Sequence, residues 1–217
     1  LTEKIQNCPS CSEKITDGVF KSNLLLATSK TMAINDHHGL SLTYSCNACG
    51  KELFEKAASH LRYEQYQLRT KLTGEIAALP ILSLHTPLGW DYRAIGIVTA
   101  QSTTGTGLFS DVASAWTDAF GMQSGTYNGK IRAGEDLCKR SLRLAALECG
   151  GNAVVAADVD YAEVGGTAAM LMVCMTGTAV QLCNPNILGD GYAERLAQVA
   201  NMHARLAKLD QFELGEA

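Results

Sequence analysis

Two Cys-x-x-Cys turns, Cys8-Pro9-Ser10-Cys11 and Cys46-Asn47-Ala48-Cys49-Gly50, constrain this fold more than any other feature of the chain. Each turn can offer two thiolates to one tetrahedral ion, so two turns complete a four-cysteine site. Residues 12–45 must then loop back to bring the turns together. Residues 1–50 read as a zinc ribbon, with β-type runs at 18–27 and 40–44 and with Cys8, Cys11, Cys46 and Cys49 as ligands of a structural Zn2+. Four thiolates leave no open position for water, which argues against catalysis at that ion. So small a module has little core, and metal binding would contribute much of its folding free energy. A redox Cys-x-x-Cys would sit beside a βαβ pattern, and none is there. His37-His38 are expected in the intervening loop and read as solvated rather than ligating.

The other four of the eight cysteines stand singly among apolar residues, which suits small core side chains. This placement points to a reducing, cytoplasmic setting rather than a disulfide framework. The first residues, LTEKIQNCPS, lack the apolar centre of a signal peptide, and no apolar run reaches membrane-spanning length. A net charge of −4 gives no general attraction for nucleic acid or anionic membrane.

Past the ribbon, residues 51–79 carry one long amphipathic helix, with Phe54, Ala57, Ala58, Leu61, Leu68, Leu72, Ile76 and Leu79 on one face. Pro80 ends it. Strands are expected at 81–85 and 92–103, the second with Ile95, Ile97 and Thr99 on one face. Residues 107–121 read as a nearly uncharged helix whose wide apolar arc, including Trp116, suits an oligomer interface. A glycine-punctuated loop follows at 121–128, lacking both the Lys-Ser/Thr ending of a P-loop and the spacing of a dinucleotide fingerprint. The main helix, 129–149, places Cys138 and Cys149 on its buried face and stops at Gly150-Gly151. Residues 153–180 form two β-rich runs hinged at Gly165-Gly166, a hairpin signal. Asp158 and Asp160 share a face of the first run, and residues 168–174 are apolar on both faces. A last helix spans 190–214, capped by Asp190 and carrying His203 on its seam. His85 and His203 both read as packing or surface residues rather than ligands.

Several motifs recur together. Ile97-Val98-Thr99, the Gly-rich 104–107, Gly121-x-x-Ser124-Gly125-x-Tyr127, Gly151-x-Ala153-Val154-Val155, Asp158-x-Asp160-Tyr161 and Gly177-Thr178-Ala179-Val180 resemble the YbjQ-like family over residues 81–182. The resemblance implies a small α+β domain with an antiparallel sheet, similar to dodecin subunits and assembling as a pentameric ring. It also brings a heavy-metal-binding label. One departure stands out: the family's Gly-Gly-Arg-Ser loop reads Gly121-Met122-Gln123-Ser124, without the arginine.

The expected organisation is a zinc ribbon (1–50), a connecting helix (51–80), a YbjQ-like oligomerisation domain (81–183) and a C-terminal helix (184–217). The leading expectation for function is a non-enzymatic, ring-forming scaffold that offers its ribbon to a protein partner. A metal-handling protein with a second site at Asp158 and Asp160 is an alternative, as is an enzyme with a pocket between ring neighbours. No nucleophile–base pair stands out for the last.

Overall fold

The computed structural model describes residues 5–18, 22–104, 125–164 and 170–215. It shows a mixed α+β protein with four α-helices and three strands among those residues: α1 (Thr28–His38), α2 (Asn47–Glu75), β1 (Tyr92–Thr104), α3 (Gly125–Glu148), β2 (Ala153–Val164), β3 (Met170–Leu182) and α4 (Tyr192–Leu209). The chain divides into two compact units, residues 1–72 with 201–217, and residues 73–200. No helix among the described residues is long and apolar enough to cross a membrane.

The first unit is built on helices. Ala57, Ala58 and Leu61 of α2 meet Ala33 of α1 and Leu209, Phe212 and Leu214 from the C-terminal part of the chain. The expected strands at 18–27 and 40–44 reduce to isolated bridges, Thr16↔Asn23 and Leu25↔Cys46, and the eleven-residue α1 takes up part of the chain between the knuckles. Residues 40–44 stay irregular because Asn35 holds them in place of a strand partner. Its Nδ2 donates to the Leu42 carbonyl and its Oδ1 accepts from the Leu42 N–H, both at 2.9 Å. His37 and His38 close α1 instead of lying in a loop.

An ion cluster spans α1, α2 and α4 of this unit. Arg205 donates from Nε and Nη2 to both oxygens of Glu64, at 2.7 and 2.8 Å, and from Nη1 to Asp36 Oδ1 at 2.9 Å. Lys208 Nζ lies 2.5 Å from the same Asp36 oxygen. Asp36 Oδ2 is 2.7 Å from Arg205 Nη2, an ion pair without a directed hydrogen bond. The Asp36 side chain is only 7% exposed, so its charge depends on these cations.

The second unit holds the sheet, ordered β1-β3-β2 with both pairings antiparallel. The hairpin expected at 153–180 is present as β2 and β3; its hinge at Gly165-Gly166 lies outside the described residues, as does the helix expected at 107–121. Residues 125–128, expected as loop, open α3. α3 packs on β1 and β3. Its Cys138, Leu142 and Ala146 are fully buried, and Val98, Ala100, Val173 and Met175 are buried on the sheet. Cys149, expected in that core, is exposed, because α3 ends at Glu148 and the chain turns away.

The buried face of β1 is also not the one marked by its isoleucines. The β1–β3 register shifts between Ala94 and Gly96, so Val98, Ala100 and Ser102 face inward and Ile97 is left 83% exposed. A β-bulge inserts one residue and moves every later side chain to the other face. The strand expected at 81–85 forms a single parallel bridge, Ile81↔Val154, backed by hydrogen bonds from Val154 N–H to Pro80 O and from Ala157 N–H to Leu82 O. The last helix starts at Tyr192, and the side chain bonded to its first turn is Asn186, through Ala193 N–H, rather than Asp190.

Gly177, in the centre of β3, leaves no room for a side chain. A Cβ there would lie 2.5 Å from Val154 Cγ1 and 3.4 Å from the Val155 carbonyl. Valine is stiff at χ1 and cannot swing away cheaply. Gly177→Ala is therefore expected to destabilise the sheet unit by about 1–3 kcal/mol, read as a lower midpoint in urea. An unchanged midpoint would mean that β2 gives way more easily than its burial suggests.

Candidate metal centre

The first knuckle is a tight hairpin. Cys8 N–H donates to Glu13 O and Ser12 N–H to Cys8 O, both at 2.8 Å, and Asn7 bridges Lys14. The second knuckle starts a helix: Cys46 immediately precedes Asn47, the first residue of α2, and Gly50 N–H closes on Cys46 O at 2.7 Å. The helix expected from residue 51 thus begins inside the knuckle, ends at Glu75 and continues as a 3-10 turn over Ile76–Ala78. A Cβ at Gly50 would sit 2.9 Å from Ser45 Cβ and 2.7 Å from Leu26 Cδ1, which explains the glycine after the second pair. Ser10 Oγ of the first knuckle bonds the Tyr44 carbonyl just before the second, and Thr31 Oγ1 meets Ser45 Oγ at 2.9 Å in the interior, which ties α1 to the second knuckle's approach.

Folding brings the four thiols to one point. All four Sγ atoms lie within 4.8 Å of one another. Cys11–Cys46, Cys46–Cys49 and Cys8–Cys49 are separated by 3.6, 3.7 and 3.9 Å. A tetrahedral ion with Zn–S bonds near 2.3 Å needs sulfurs about 3.8 Å apart. These three separations match those of a tetrahedral thiolate-ligated ion. Cys8 and Cys46 are buried, which keeps water from competing at the centre.

The electrostatics favour a cation at that point. Burial pushes the Cys46 thiol up, but N–H groups of Cys49 and Ala48 and the side chains of Cys11 and Asn23 outweigh it, bringing the group down to about 6. The α2 N-terminus adds its positive end. At Cys11, hydrogen bonding at Glu13 lowers the pKa, but burial and the three neighbouring sulfurs push it up to about 12. Burial raises Cys49 as well. A first thiolate forms easily and the later ones must form beside it, a cost that a bound dication offsets.

Asn23 carries a role that no motif in the sequence marks. Only 7% exposed, it donates from Nδ2 to Lys14 O of the first knuckle and accepts at Oδ1 from Ala48 N–H of the second, each at 3.0 Å. It thereby caps α2 and locks one knuckle to the other. Asn23→Ala is expected to keep all four ligands yet weaken metal binding about 10- to 100-fold, measured by competition with a chromophoric chelator. Unchanged affinity would show that the knuckles hold their register without it.

Among the described residues, none of the others singled out in the sequence belongs to the cysteine cluster. Asp158 and Asp160 are both exposed and share a face of β2, opposite Thr176 and Cys174 of β3. Asp160 Oδ1 accepts a hydrogen bond from the Tyr161 N–H. Cys138 Sγ donates to the Val173 carbonyl at 3.2 Å inside the core, where burial raises its pKa. His85 is exposed and His203 half-buried.

Residues 89–183 match the sequence model of a family described as "Putative heavy-metal-binding". These residues form a YbjQ-like domain. The YbjQ-like domain takes in β1, α3, β2 and β3. Among solved structures, the chain is similar to a protein of unknown function in the DUF74 family from Pediococcus pentosaceus. The identity is 17%, over 48% of this chain and 97% of that one, with a TM-score of 0.34. The cysteine quartet lies outside the YbjQ-like domain, so metal binding is indicated twice, by the family's description for one segment and by geometry for another.

Proposed function

We propose that the chain is a non-enzymatic, zinc-binding homo-oligomer of the cytoplasm. Its YbjQ-like domain assembles into a ring, pentameric by the resemblance, and its cysteine module is offered to a protein partner. The observation that carries this reading is the quartet of Cys8, Cys11, Cys46 and Cys49, whose spacing suits a tetrahedral ion saturated by four thiolates. A saturated ion is structural, with no position left for substrate or water. Ile97, 83% exposed on a strand at the edge of the described sheet, supports self-association. Several modules on one ring would bind a multivalent partner more tightly than one alone. Native mass spectrometry tests both halves: one zinc per chain and a particle near five times the 23.2 kDa chain mass are expected. A monodisperse monomer would sink the ring, and a chain that folds with no bound metal would sink the zinc.

A second reading, metal handling within the YbjQ-like domain, draws support from the family's description and from Asp158 and Asp160 sharing a face with Cys174. Asp158→Asn with Asp160→Asn would then remove one metal equivalent while sparing the zinc of the quartet.

A further inference from the structure

Folding of the first unit brings His60 beside the adjacent pair His37-His38. His37 and His38 end α1, and His60 lies on α2. The His37 ring centroid is 4.6 Å from that of His38, edge-on at 74°, and 4.7 Å from that of His60, tilted by 41°. Two imidazoles bound to one ion through Zn–N bonds of about 2.0–2.1 Å hold their centroids about 4.5–5.2 Å apart. The spacing of His37 and His60 is therefore that of a ligand pair. The rings meet edge-on and tilted rather than with their nitrogens converging, and the thiol quartet is the only set of three or more such ligand atoms gathered about a point among the described residues. Convergence on a shared ion would take rotation of the imidazole rings about χ2.

Two further features favour ligation. His38 Nε2 lies 3.2 Å from the Leu53 carbonyl. A carbonyl only accepts, so Nε2 carries the proton and Nδ1 keeps its lone pair. That is how a backbone partner orients a metal-binding histidine. The nearby carboxylates are also already committed, Asp36 to Arg205 and Lys208 and Glu64 to Arg205, which pins α1 to α2 at the level of the rings. Burial, then the neighbouring His38 and His60, lower the pKa of His37 and keep it in the neutral form that binds metal.

We propose that His37 and His60, with His38 beside them, form a second metal site, selective for divalent ions that prefer imidazole, such as Ni2+ or Cu2+, and distinct from the thiolate centre. The test is titration of Ni2+ alone into the full chain at pH 7.5, with the quartet already holding one zinc. One saturable Ni2+ per chain is expected. His37→Ala and His60→Gln should each weaken it at least about tenfold, and His203→Ala should leave it unchanged. Zinc content and melting temperature serve as the check on folding, and exposed His60 is the position least able to disturb either. No saturable Ni2+ binding below about 1 mM, or binding indifferent to His60→Gln in a protein that keeps its zinc and its melting temperature, would overturn the site.

Discussion

Cys46→Ser combined with Cys49→Ser is expected to abolish metal retention and unfold the first unit, while the sheet of β1, β2 and β3 survives. The unit's buried apolar cluster is small and includes three alanines, Ala33, Ala57 and Ala58. A structural zinc contributes about 10–16 kcal/mol of apparent free energy in finger-sized modules, more than this cluster can replace. Both substituted thiols also sit at the start of α2, so their loss frees the helix end as well as the ion. Metal analysis should fall from one zinc per chain to none. Hydrogen exchange should lose protection over α1 and the first turns of α2 and keep it in β3. Retained protection in α1 would mean that the hydrogen-bonded knuckles stand without metal. Because the ligands bind as thiolates, acidification should release the ion.

Arg205→Ala is the second large effect. It strips Asp36 and Glu64 of their shared guanidinium and leaves Asp36, 7% exposed, with Lys208 alone. Breaking a buried pair costs about 3–5 kcal/mol. Here Arg205 is 31% exposed and Lys208 remains, so about 2–3 kcal/mol is expected from the first unit. The pH dependence identifies the cause. The Arg205 side chain, by hydrogen bond and charge, with Lys208 and against a burial penalty, holds Asp36 down at about 2, compared with an ordinary value of 3.8. A depressed carboxylate stabilises the fold above its ordinary value and loses that contribution as pH falls through its folded one. The gap in stability between wild type and Arg205→Ala should be constant above about pH 5 and close toward pH 2. The gap is read over the pH range in which both proteins keep their metal. A gap that does not narrow as pH falls through that range would assign the loss to packing of the arginine stem instead. The exposed pair Arg69–Asp210 is the control: Arg69→Ala should cost no more than about 1 kcal/mol.

Local chemistry explains which features are legible in the linear order of residues. A Cys-x-x-Cys turn carries its function in four consecutive residues, so two of them announce a tetrahedral centre wherever the chain goes between. The β-rich runs of β2 and β3 and the helical period of α3 likewise repeat within a few residues, and the two strands and the body of the helix are found where those patterns put them. Where local signals compete, they mislead. Residues 28–38 have no apolar stripe, since Thr31, Ala33 and Ile34 are their only buried positions, and the helix they form is closed by the left-handed Gly39, whose N–H bonds the Asn35 carbonyl. Ile97 is a strong β-former on the outer face because one inserted residue near Ile95 reverses the strand's inside and outside.

The amino-acid sequence by itself singled out the four cysteines that cluster, the α+β body and the resemblance of residues 81–182 to the YbjQ-like family, because each rests on residues a few positions apart or on a motif order that survives without coordinates. Only the tertiary structure decided which polar residues of the first unit meet. Asn23 reaches Ala48, Arg205 reaches Asp36 across 169 positions, and His60 meets His37, and none of these pairs has a spacing that a helix or strand period could reveal. The physical reason is that such contacts are set by how helices pack, and packing is a property of surfaces that the linear order of residues does not display.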